Sequence, residues 1–545
     1  MSSAVEKVRE VDVVIVGAGF GGMYALYKLR NSGLNLVVIE AGSDVGGTWY
    51  WNRYPGARCD VPSIEYSYSF SDELQQEWNW TEIMAAQPEI LSYANHVADR
   101  FDLRKDITFD TRVTAAHFQE ADQRWLVTTD SGERISARFC IMATGCLSVP
   151  NTPEITGQED FQGPIYHTGR WPAEGVDFTG IRVGLIGTGS SGVQSVPMLA
   201  EQAQHLTVFQ RTPNYTMPAG NAPLSEEFIA RAKQDYPEIR QQQRASQVGI
   251  VGYGFGFGGI AGMEEATNSI LETTEEQRAA ALEAKGFAAI RDYADIQIDP
   301  QANELGCEMY RQQVRRVVDD PDTAEGLLPR DYPLGCKRPV IDIGYYEAFN
   351  RDNVTLVDLR KGGIERITAT GVATEQGDFE FDALVYATGF DAMTGALLSM
   401  DIQGRDNQRL SEHWQAGPKT YLGLQMSGFP NLFTITGPGS PSVLSNMLVS
   451  IEQHVDWIAD CINYLDQQGL KTIEALPEAE SEWVEHVNAV AEGTMFTAPS
   501  CNSWYLGANI PGKPRIFMPY VGGVGEYRRR CDEIADNGYQ GFALG

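Results

Sequence analysis

Two segments of the chain combine apolar runs with a fixed pattern of glycines. In the first, Val11–Val16 is continuously apolar and β-branched, which predicts a strand buried on both faces. Met23–Arg30 predicts a helix that stops at Gly33, and Leu34–Ile39 predicts a second strand that Glu40 closes. Between strand and helix lies a G-x-G-x-x-G pattern, formed by Gly17, Gly19 and Gly22.

This order of strand, glycines, helix, strand and acid is typical of a dinucleotide-binding fold. Gly17 permits the tight turn, Gly19 lets a pyrophosphate approach the backbone, and Gly22 lets the helix pack on the strand. Free N–H groups at the helix N-terminus then face the pyrophosphate. The carboxylate of Glu40 suits a ribose 2′-hydroxyl and repels a 2′-phosphate, so the first segment predicts an FAD site.

The second segment, residues 181–213, repeats the pattern and superposes on the first without a gap. Leu206–Phe209 predicts its second strand, and Pro197 favours a kink in its helix. Its acid position is the neutral Gln210, which Arg211 and a threonine follow. A guanidinium and a hydroxyl suit a 2′-phosphate, so this segment predicts NADPH rather than NADH. The residues with these roles are Gly187, Gly189, Gly192, Arg211 and Thr212.

Two apolar runs, Cys140–Gly145 and Leu384–Gly389, each end in Ala-Thr-Gly. Such strands return the chain between two nucleotide domains, so each domain is expected to be discontinuous. The predicted fold is α/β, with two Rossmann-like dinucleotide-binding domains for FAD and NADPH and a helical insertion in the NADPH domain. The predicted bounds are 1–150 and 391–545 for the FAD-binding domain, 151–223 and 335–390 for the NADPH-binding domain, and 224–334 for the insertion.

The insertion carries helix-capping signals. Thr274 is followed three residues later by Gln277, and Asp299 precedes Pro300. Between its helices lies a glycine-rich stretch, residues 248–262. Two interpretations remain open: a surface loop, or a mobile wall of the substrate pocket, because aromatic side chains are costly to leave in water. Those aromatic residues are Tyr253, Phe255 and Phe257.

Composition narrows the function classes. The 545 residues are 43% hydrophobic and 21% charged, which excludes global disorder and suits several domains or a large composite. A net charge of −31 disfavours nucleic-acid and anionic-membrane partners. The sequence contains no run of about 18 apolar residues, so it predicts no membrane span. The N-terminus lacks the apolar core of a secretory signal.

The eight cysteines are scattered and never form C-x-x-C, which favours free thiols and a reducing cytoplasm. The seven histidines show no metal-ligand spacing, so no metal site is expected. The same lack of a close cysteine pair argues against a disulfide reductase, which also pairs FAD with NADPH.

Two longer motifs carry a family resemblance. Residues 161–172 read FQGPIYHTGRWP, and residues 47–60 read GTWYWNRYPGARCD. With the two glycine patterns, the sequence resembles the Baeyer–Villiger monooxygenases across essentially its whole length. GARCD, CKRP, GPGSPSVLSNM and NSWYLGANIPGKPR place it nearest the branch that acts on aryl, steroid and larger cyclic ketones. The fingerprint residues are Phe161, Gly163, His167, Thr168, Trp171 and Pro172.

The resemblance implies a reaction in which NADPH reduces FAD, O₂ adds at flavin C4a, and the resulting peroxide attacks a hydrophobic ketone to give an ester or lactone. It assigns Arg338 to the stabilisation of the peroxide and of the tetrahedral anion, with Asp60 holding that arginine. It assigns Lys337 to the 2′-phosphate and Trp504 to the nicotinamide ribose. His167 is expected to act on the linker between domains instead of on substrate.

The remaining site residues also follow from the resemblance. For FAD they are Gly17, Gly19, Phe20, Gly22, Glu40, Gly47, Thr48, Trp49, Asp60, Tyr66, Val113 and Met447. For NADP they are Arg58, Asp60, Gly187, Thr188, Gly189, Ser190, Ser191, Gly192, Gln194, Arg211, Thr212, Lys337, Arg338 and Trp504. For the ketone they are Val61, Cys146, Leu147, Ser442, Val443, Leu444 and Met447, which are mostly apolar.

The main alternative is a flavin monooxygenase that oxidises amines or sulfides, since that class shares both glycine patterns. The tryptophan of HTGRWP and the aspartate of GARCD argue against it. A non-catalytic nucleotide-binding protein is a further alternative, which the intact Arg338 and Asp60 disfavour. The expected partners are O₂ and a hydrophobic ketone, and a monomer is favoured.

Overall fold

The structure, a computed structural model, describes residues 8–253 and 266–545. The strands are β1 (Val8–Val16), β2 (Leu36–Ile39), β3 (Ile107–Thr108), β4 (Val113–Gln119), β5 (Arg124–Thr129), β6 (Arg134–Met142), β7 (Ile165–His167), β8 (Arg182–Ile186), β9 (His205–Gln210), β10 (Thr216–Pro218), β11 (Val340–Asp342), β12 (Val354–Asp358), β13 (Ile364–Thr368), β14 (Gly371–Thr374), β15 (Gly377–Glu380), β16 (Ala383–Tyr386), β17 (Asp401–Gln403), β18 (Leu432–Thr434), β19 (Ile473–Ala475) and β20 (Phe542–Leu544). The helices are α1 (Phe20–Arg30), α2 (Thr48–Trp51), α3 (Asp72–Glu77), α4 (Gln87–Arg100), α5 (Ser190–Gln202), α6 (Glu226–Ala245), α7 (Glu275–Lys285), α8 (Pro300–Val317), α9 (Pro321–Leu327), α10 (Tyr345–Ala348), α11 (Gly395–Leu398), α12 (Leu410–His413), α13 (Met447–Gln468), α14 (Pro477–Ala491) and α15 (Val524–Asp536).

The larger sheet has the order β17-β4-β5-β6-β1-β2-β3, and β18 pairs with β6. Its centre is parallel, because β1 pairs in parallel with both β2 and β6. Side chains alternate across a strand. Accordingly Val13 and Ile15 enter one hydrophobic core, while Val14 and Val16 enter another on the opposite face. This double burial explains why the strand is continuously apolar.

The second sheet has the order β12-β9-β8-β16-β7, and every pairing in it is parallel. Its central strand β8 leads into the second glycine turn, as β1 leads into the first. The run that precedes the second Ala-Thr-Gly forms β16, which pairs with β8 and β7. The helix after the turn, α5, continues through Pro197. Two discontinuous stretches of chain therefore share this sheet.

The predicted insertion contains α6 to α9, with no strand among its described residues. Thr274 and Gln277 form the predicted capping box, and the Asp299 side chain caps α8. The insertion divides between two cores: Tyr236 of α6 packs with the core beside the larger sheet, and Tyr310 of α8 packs with the core beside the second sheet. Phe255 and Phe257 lie outside the described residues.

None of the helices in the described ranges is long and apolar enough to cross a bilayer. Within the same ranges, no three potential metal-ligating side chains gather at one point. The domain bounds given above stay predictions.

Candidate functional site

The two glycine turns have the same construction. Gly17 has φ of +104°, and a Cβ there would lie 2.5 Å from the carbonyl oxygen of Ala143 in the first Ala-Thr-Gly. Gly187 has φ of +108°, and its Cβ would lie 2.5 Å from the carbonyl oxygen of Ala387 in the second. In both turns only glycine fits, because the left-handed backbone and the neighbouring strand exclude a side chain.

The third glycine of each pattern lets the helix approach its own turn. A Cβ at Gly22 would lie 1.8 Å from the Gly17 carbonyl oxygen, and one at Gly192 would lie 2.2 Å from that of Gly187. The Cβ positions of the middle glycines, Gly19 and Gly189, do not point at their own turns. Gly189 has no atom within 4 Å of its ideal Cβ position, so this side of the turn is open to a ligand.

Glu40 is buried beside the first turn. Its Oε2 accepts a hydrogen bond from the Ala18 N–H at 2.6 Å, and its Oε1 accepts one from the Gly42 N–H at 2.7 Å. Burial raises the pKa of Glu40, and these two amides oppose the shift. The carboxylate is therefore fixed in place where the resemblance puts the ribose of FAD.

The GTW segment packs directly on the first turn. A Cβ at Gly19 would lie 3.3 Å from the Cα of Gly47. Thr48 and Trp49 follow in α2, and the Trp49 indole donates to the Tyr66 hydroxyl at 3.1 Å. Of the other predicted FAD residues, Phe20 begins α1, Val113 begins β4 and Met447 begins α13.

Two cations lie together beside the second turn. Burial, and then the nearby Arg211 guanidinium, lower the pKa of Lys337 to about 8. The Lys337 ammonium lies 4.3 Å from the centre of the Tyr332 ring. Within the described ranges neither cation forms an ion pair. Two unpaired cations this close together suit a phosphate dianion. Thr212 contributes its carbonyl oxygen to a hydrogen bond from Thr188 Oγ1 at 3.2 Å.

The Gln210 side chain does not face the position that its alignment with Glu40 suggests. Its side chain is fully buried and donates to the Gly326 carbonyl oxygen at 2.8 Å, while its Oε1 accepts from Tyr345. It therefore holds the end of β9 against α9, and the exposed Arg211 is the residue that can contact a phosphate.

Arg338 and Asp60 form an ion pair, with Nε 2.5 Å from Oδ2. Arg338 also donates from Nη1 to the Val443 carbonyl oxygen at 3.2 Å. Burial works against the charge of Arg338, but the neighbouring groups, Asp60 foremost, together outweigh it and raise the pKa of the arginine. The guanidinium is thus charged, largely buried and fixed between segments that the sequence assigns to FAD, to NADP and to substrate.

The segment that carries Asp60 packs on the NADP-side helix α5. A Cβ at Gly56 would lie 2.1 Å from the Gln194 carbonyl oxygen. The Tyr54 hydroxyl donates to Gln194 Oε1 at 2.7 Å, and Gln194 Nε2 donates to the Arg58 carbonyl oxygen at 3.2 Å. The Arg58 side chain itself pairs with Glu82 at 2.6 Å. Tyr54 was not among the predicted site residues, although it precedes the Pro-Gly of the motif.

Several predicted ketone residues meet in one apolar cluster. Cys146 is buried at its centre, and Leu147, Val443, Met447 and Trp504 pack against it. Ser442 lies 3.2 Å from the Cys146 sulfur. Val61 and Leu444 belong instead to the two main cores. The cluster also contains three residues that sequence reasoning missed: Ala392, Met393 and Met518.

A family model described as pyridine nucleotide-disulphide oxidoreductase matches residues 14–250. A Baeyer–Villiger monooxygenase of Pseudooceanicola batsensis is 42% identical over 97% of this chain and 95% of its own. A phenazine N-monooxygenase of Lysobacter antibioticus is 40% identical, with 98% and 97% covered. A solved structure of oxidised steroid monooxygenase bound to NADP is 51% identical, with 98% and 99% covered and a TM-score of 0.89.

The chain belongs to the Baeyer–Villiger monooxygenase family. It is therefore a flavin-dependent oxidoreductase with FAD and NADP(H) as cofactors, and the predicted family, fold class, enzyme class and cofactors are confirmed. The same comparisons favour ketone oxidation over the alternative of amine or sulfide oxidation. The individual residue roles stay predictions.

The fingerprint of this family member includes β7, the edge strand of the second sheet. His167 Nδ1 accepts from the Gly169 N–H at 2.9 Å, and its Nε2 lies 3.2 Å from Thr388 Oγ1. Thr388 Oγ1 in turn donates to the Asn151 carbonyl oxygen at 2.6 Å. Burial lowers the pKa of His167. The imidazole thus contacts both segments that connect the two sheets, at Asn151 and at Thr388, which supports the predicted structural role.

The other fingerprint side chains are largely internal. Phe161 and Trp171 are buried in different hydrophobic clusters, and Pro172 follows them. Thr168 is fully buried, with Oγ1 2.9 Å from Ser191 Oγ next to Ser190, the first residue of α5. A Cβ at Gly163 would lie 2.5 Å from the Asp382 carbonyl oxygen.

The prediction that all cysteines are free is wrong. Cys336 and Cys501 form a disulfide, with Cα atoms 6.0 Å apart. Their separation of 165 residues leaves no local pattern such as C-x-x-C, so the sequence could not indicate the pairing. The other six cysteines are free and buried.

Proposed function

We propose that this enzyme inserts an oxygen atom beside the carbonyl of a hydrophobic ketone, with Arg338 as the electrostatic catalyst and Asp60 as the residue that holds it. The observation that carries this proposal is the ion pair of 2.5 Å next to an apolar cluster. A charged group that is already in place costs no reorganisation when negative charge develops.

The residues present fit both cofactors. Gly19, the N-terminus of α1 and Glu40 suit the pyrophosphate and ribose of FAD. The open face of Gly189 suits the pyrophosphate of NADP(H). Arg211 and Lys337 suit its 2′-phosphate. When bound, the two cofactors supply the reducing equivalents and the site of O₂ activation.

The protein contributes binding, orientation and charge. The Arg338 guanidinium has N–H groups besides those that contact Asp60 and the Val443 carbonyl oxygen, and we assign these to the substrate oxygen that becomes negative. The cluster around Cys146 offers apolar walls and no charged anchor, which favours an uncharged ketone. The described part of the glycine-rich stretch supports its placement as a pocket wall, because the Asn446 N–H donates to the Val248 carbonyl oxygen at 2.8 Å.

The test is a screen of NADPH consumption over ketones from cyclopentanone to steroids, with identification of the products. A phenazine and a sulfide serve as comparison substrates. Ester or lactone formation from an apolar ketone is the expected result. N-oxide formation without any ester would contradict the proposal. The cytoplasmic location and the monomeric state stay predictions.

A further inference from the structure

The disulfide adjoins residues of the proposed NADP site. Cys336 immediately precedes Lys337 and Arg338, and Cys501 stands three residues before Trp504. The bond therefore joins the segment that carries Lys337 and Arg338 to the segment that carries Trp504, the proposed nicotinamide contact. No other cysteine pair in the described ranges is bonded.

Neither cysteine belongs to a helix or a strand. Around Cys501 the chain is held mainly by Arg515, which donates to the Cys501 carbonyl oxygen at 2.7 Å and to the Ala498 carbonyl oxygen at 3.0 Å. Trp504 begins a single 3-10 turn. Within the described ranges no strand ladder joins these two segments, so the disulfide is the covalent constraint on their relative position.

We propose that the Cys336–Cys501 disulfide is a reversible modification site that positions Lys337 and Arg338 against the Trp504 segment and thereby sets the affinity for NADP(H). This rests on the proposed NADP site. On reduction by a dithiol, the S–S bond breaks, two S–H bonds form, and the dithiol becomes a cyclic disulfide. On reoxidation by hydrogen peroxide, the two thiols release two electrons and two protons, the O–O bond breaks, and two water molecules form.

Both cysteine side chains are fully buried. A reductant therefore reaches the disulfide only when the surrounding chain opens locally. If the closed arrangement is also the one that binds NADP⁺, the cofactor must slow the reduction, because coupling between two events on one equilibrium is reciprocal. Disulfides are rare in a reducing compartment and are then commonly transient, which suits a reversible role.

The first measurement is a thiol count in denaturant. Aerobically purified protein should show six thiols before dithiothreitol treatment and all eight after it, as the sequence has eight cysteines. A peptide map should contain the Cys336–Cys501 cross-link. Eight thiols before reduction would overturn the proposal.

The second measurement is the dissociation constant of NADP⁺ by calorimetry. Dithiothreitol treatment and Cys501→Ser should each weaken NADP⁺ binding about five- to tenfold, a typical coupling. Dithiothreitol should not weaken binding further in Cys501→Ser. The control Cys461→Ala, at a buried cysteine of α13, should respond to dithiothreitol as the wild type does. If Cys501→Ser does not fold, the reduced wild type alone decides.

Equal NADP⁺ affinity in oxidised and reduced wild type would overturn the positioning role while leaving the proposed function intact. Failure of the oxidised wild type to bind NADP⁺ at all would overturn both. A third measurement follows the rate at which dithiothreitol releases the two thiols. Saturating NADP⁺ should slow this release at least severalfold, and an unchanged rate would contradict the coupling.

Discussion

The Lys337 ammonium lies 4.3 Å from the centre of the Tyr332 ring, and its pKa is lowered to about 8 by burial and by Arg211. A bound 2′-phosphate favours the charged ammonium. Binding above that pKa therefore takes up a proton. We expect the dissociation constant of NADP⁺ to rise by up to about tenfold per pH unit above this pKa. That of NAD⁺, which has no 2′-phosphate, should stay nearly flat.

Calorimetry at about pH 7 and about pH 9, in buffers of different ionisation enthalpy, measures both the affinity and the proton uptake. Lys337→Arg is the matched variant, because arginine stays charged across this range. It should lose the pH dependence. Equal NADP⁺ affinity of the wild type at both pH values would remove Lys337 from the phosphate site.

Arg211 is the other cation of this pair, and we expect it to decide between the two nicotinamide cofactors. Arg211→Ala should raise the KM for NADPH about 10- to 100-fold, since a hydrogen bond to a charged group contributes about 1.5–3 kcal/mol. The KM for NADH should change little. Arg351→Ala, at another exposed arginine, is the control. Equal effects of Arg211→Ala on both cofactors would contradict the assignment.

Local patterns predicted the nucleotide folds well. The strand Val8–Val16 and the helix Phe20–Arg30 contain the predicted elements and extend them at their N-terminal ends. Their pattern is local: double burial makes the strand apolar, and the glycines must fit a positive φ or a close approach. The Ala-Thr-Gly runs were also informative, because their alanine carbonyls contact Gly17 and Gly187.

Contacts between distant parts of the chain leave no comparable local pattern in the sequence. Met393 and Met518 join Cys146 in the apolar cluster from two separate segments. Gln210 occupies the position of Glu40, yet its side chain donates to the Gly326 carbonyl oxygen in α9. These placements depend on which surfaces the folded domains bring together, and single-residue chemistry does not determine that.

Alanine substitution at two positions of the second glycine turn, Gly189 and Gly192, should separate an effect on NADP⁺ binding from an effect on stability. Gly189→Ala meets no protein atom within 4 Å, and φ of −72° suits alanine, so the free energy of unfolding should barely change. Its methyl group would occupy the proposed pyrophosphate path, so NADP⁺ binding should weaken about tenfold or more.

Gly192→Ala places its methyl carbon 2.2 Å from the Gly187 carbonyl oxygen. This overlap should lower the free energy of unfolding by about 1–3 kcal/mol or more. Thermal unfolding with saturating FAD, followed by NADP⁺ titration, compares the two variants. A Gly189→Ala protein with wild-type NADP⁺ affinity would show that no ligand passes this face of the turn.

Arg338 should separate the two halves of the catalytic cycle. Reduction of the flavin by NADPH builds no negative charge on a substrate carbonyl, whereas oxygen transfer to the ketone does. Removing a fixed stabiliser of such charge typically costs about 10²–10³ in rate. Arg338→Ala should therefore still bind FAD and be reduced by NADPH, while ester formation falls by that factor and hydrogen peroxide is released instead.

A second variant, Arg338→Lys, tests whether the shape of the guanidinium matters in addition to its charge. Arg338→Lys should recover little ester formation, because an ammonium lacks the planar fork that Asp60 and the Val443 carbonyl oxygen hold in place. Arg405→Ala, at an arginine paired with Glu474, is the control and should keep full activity. Anaerobic stopped-flow reduction followed by product analysis under oxygen measures both half-reactions. If Arg338→Ala kept near-normal ester formation, the residue would have no part in oxygen transfer; if it abolished flavin reduction, its role would belong to the nicotinamide step.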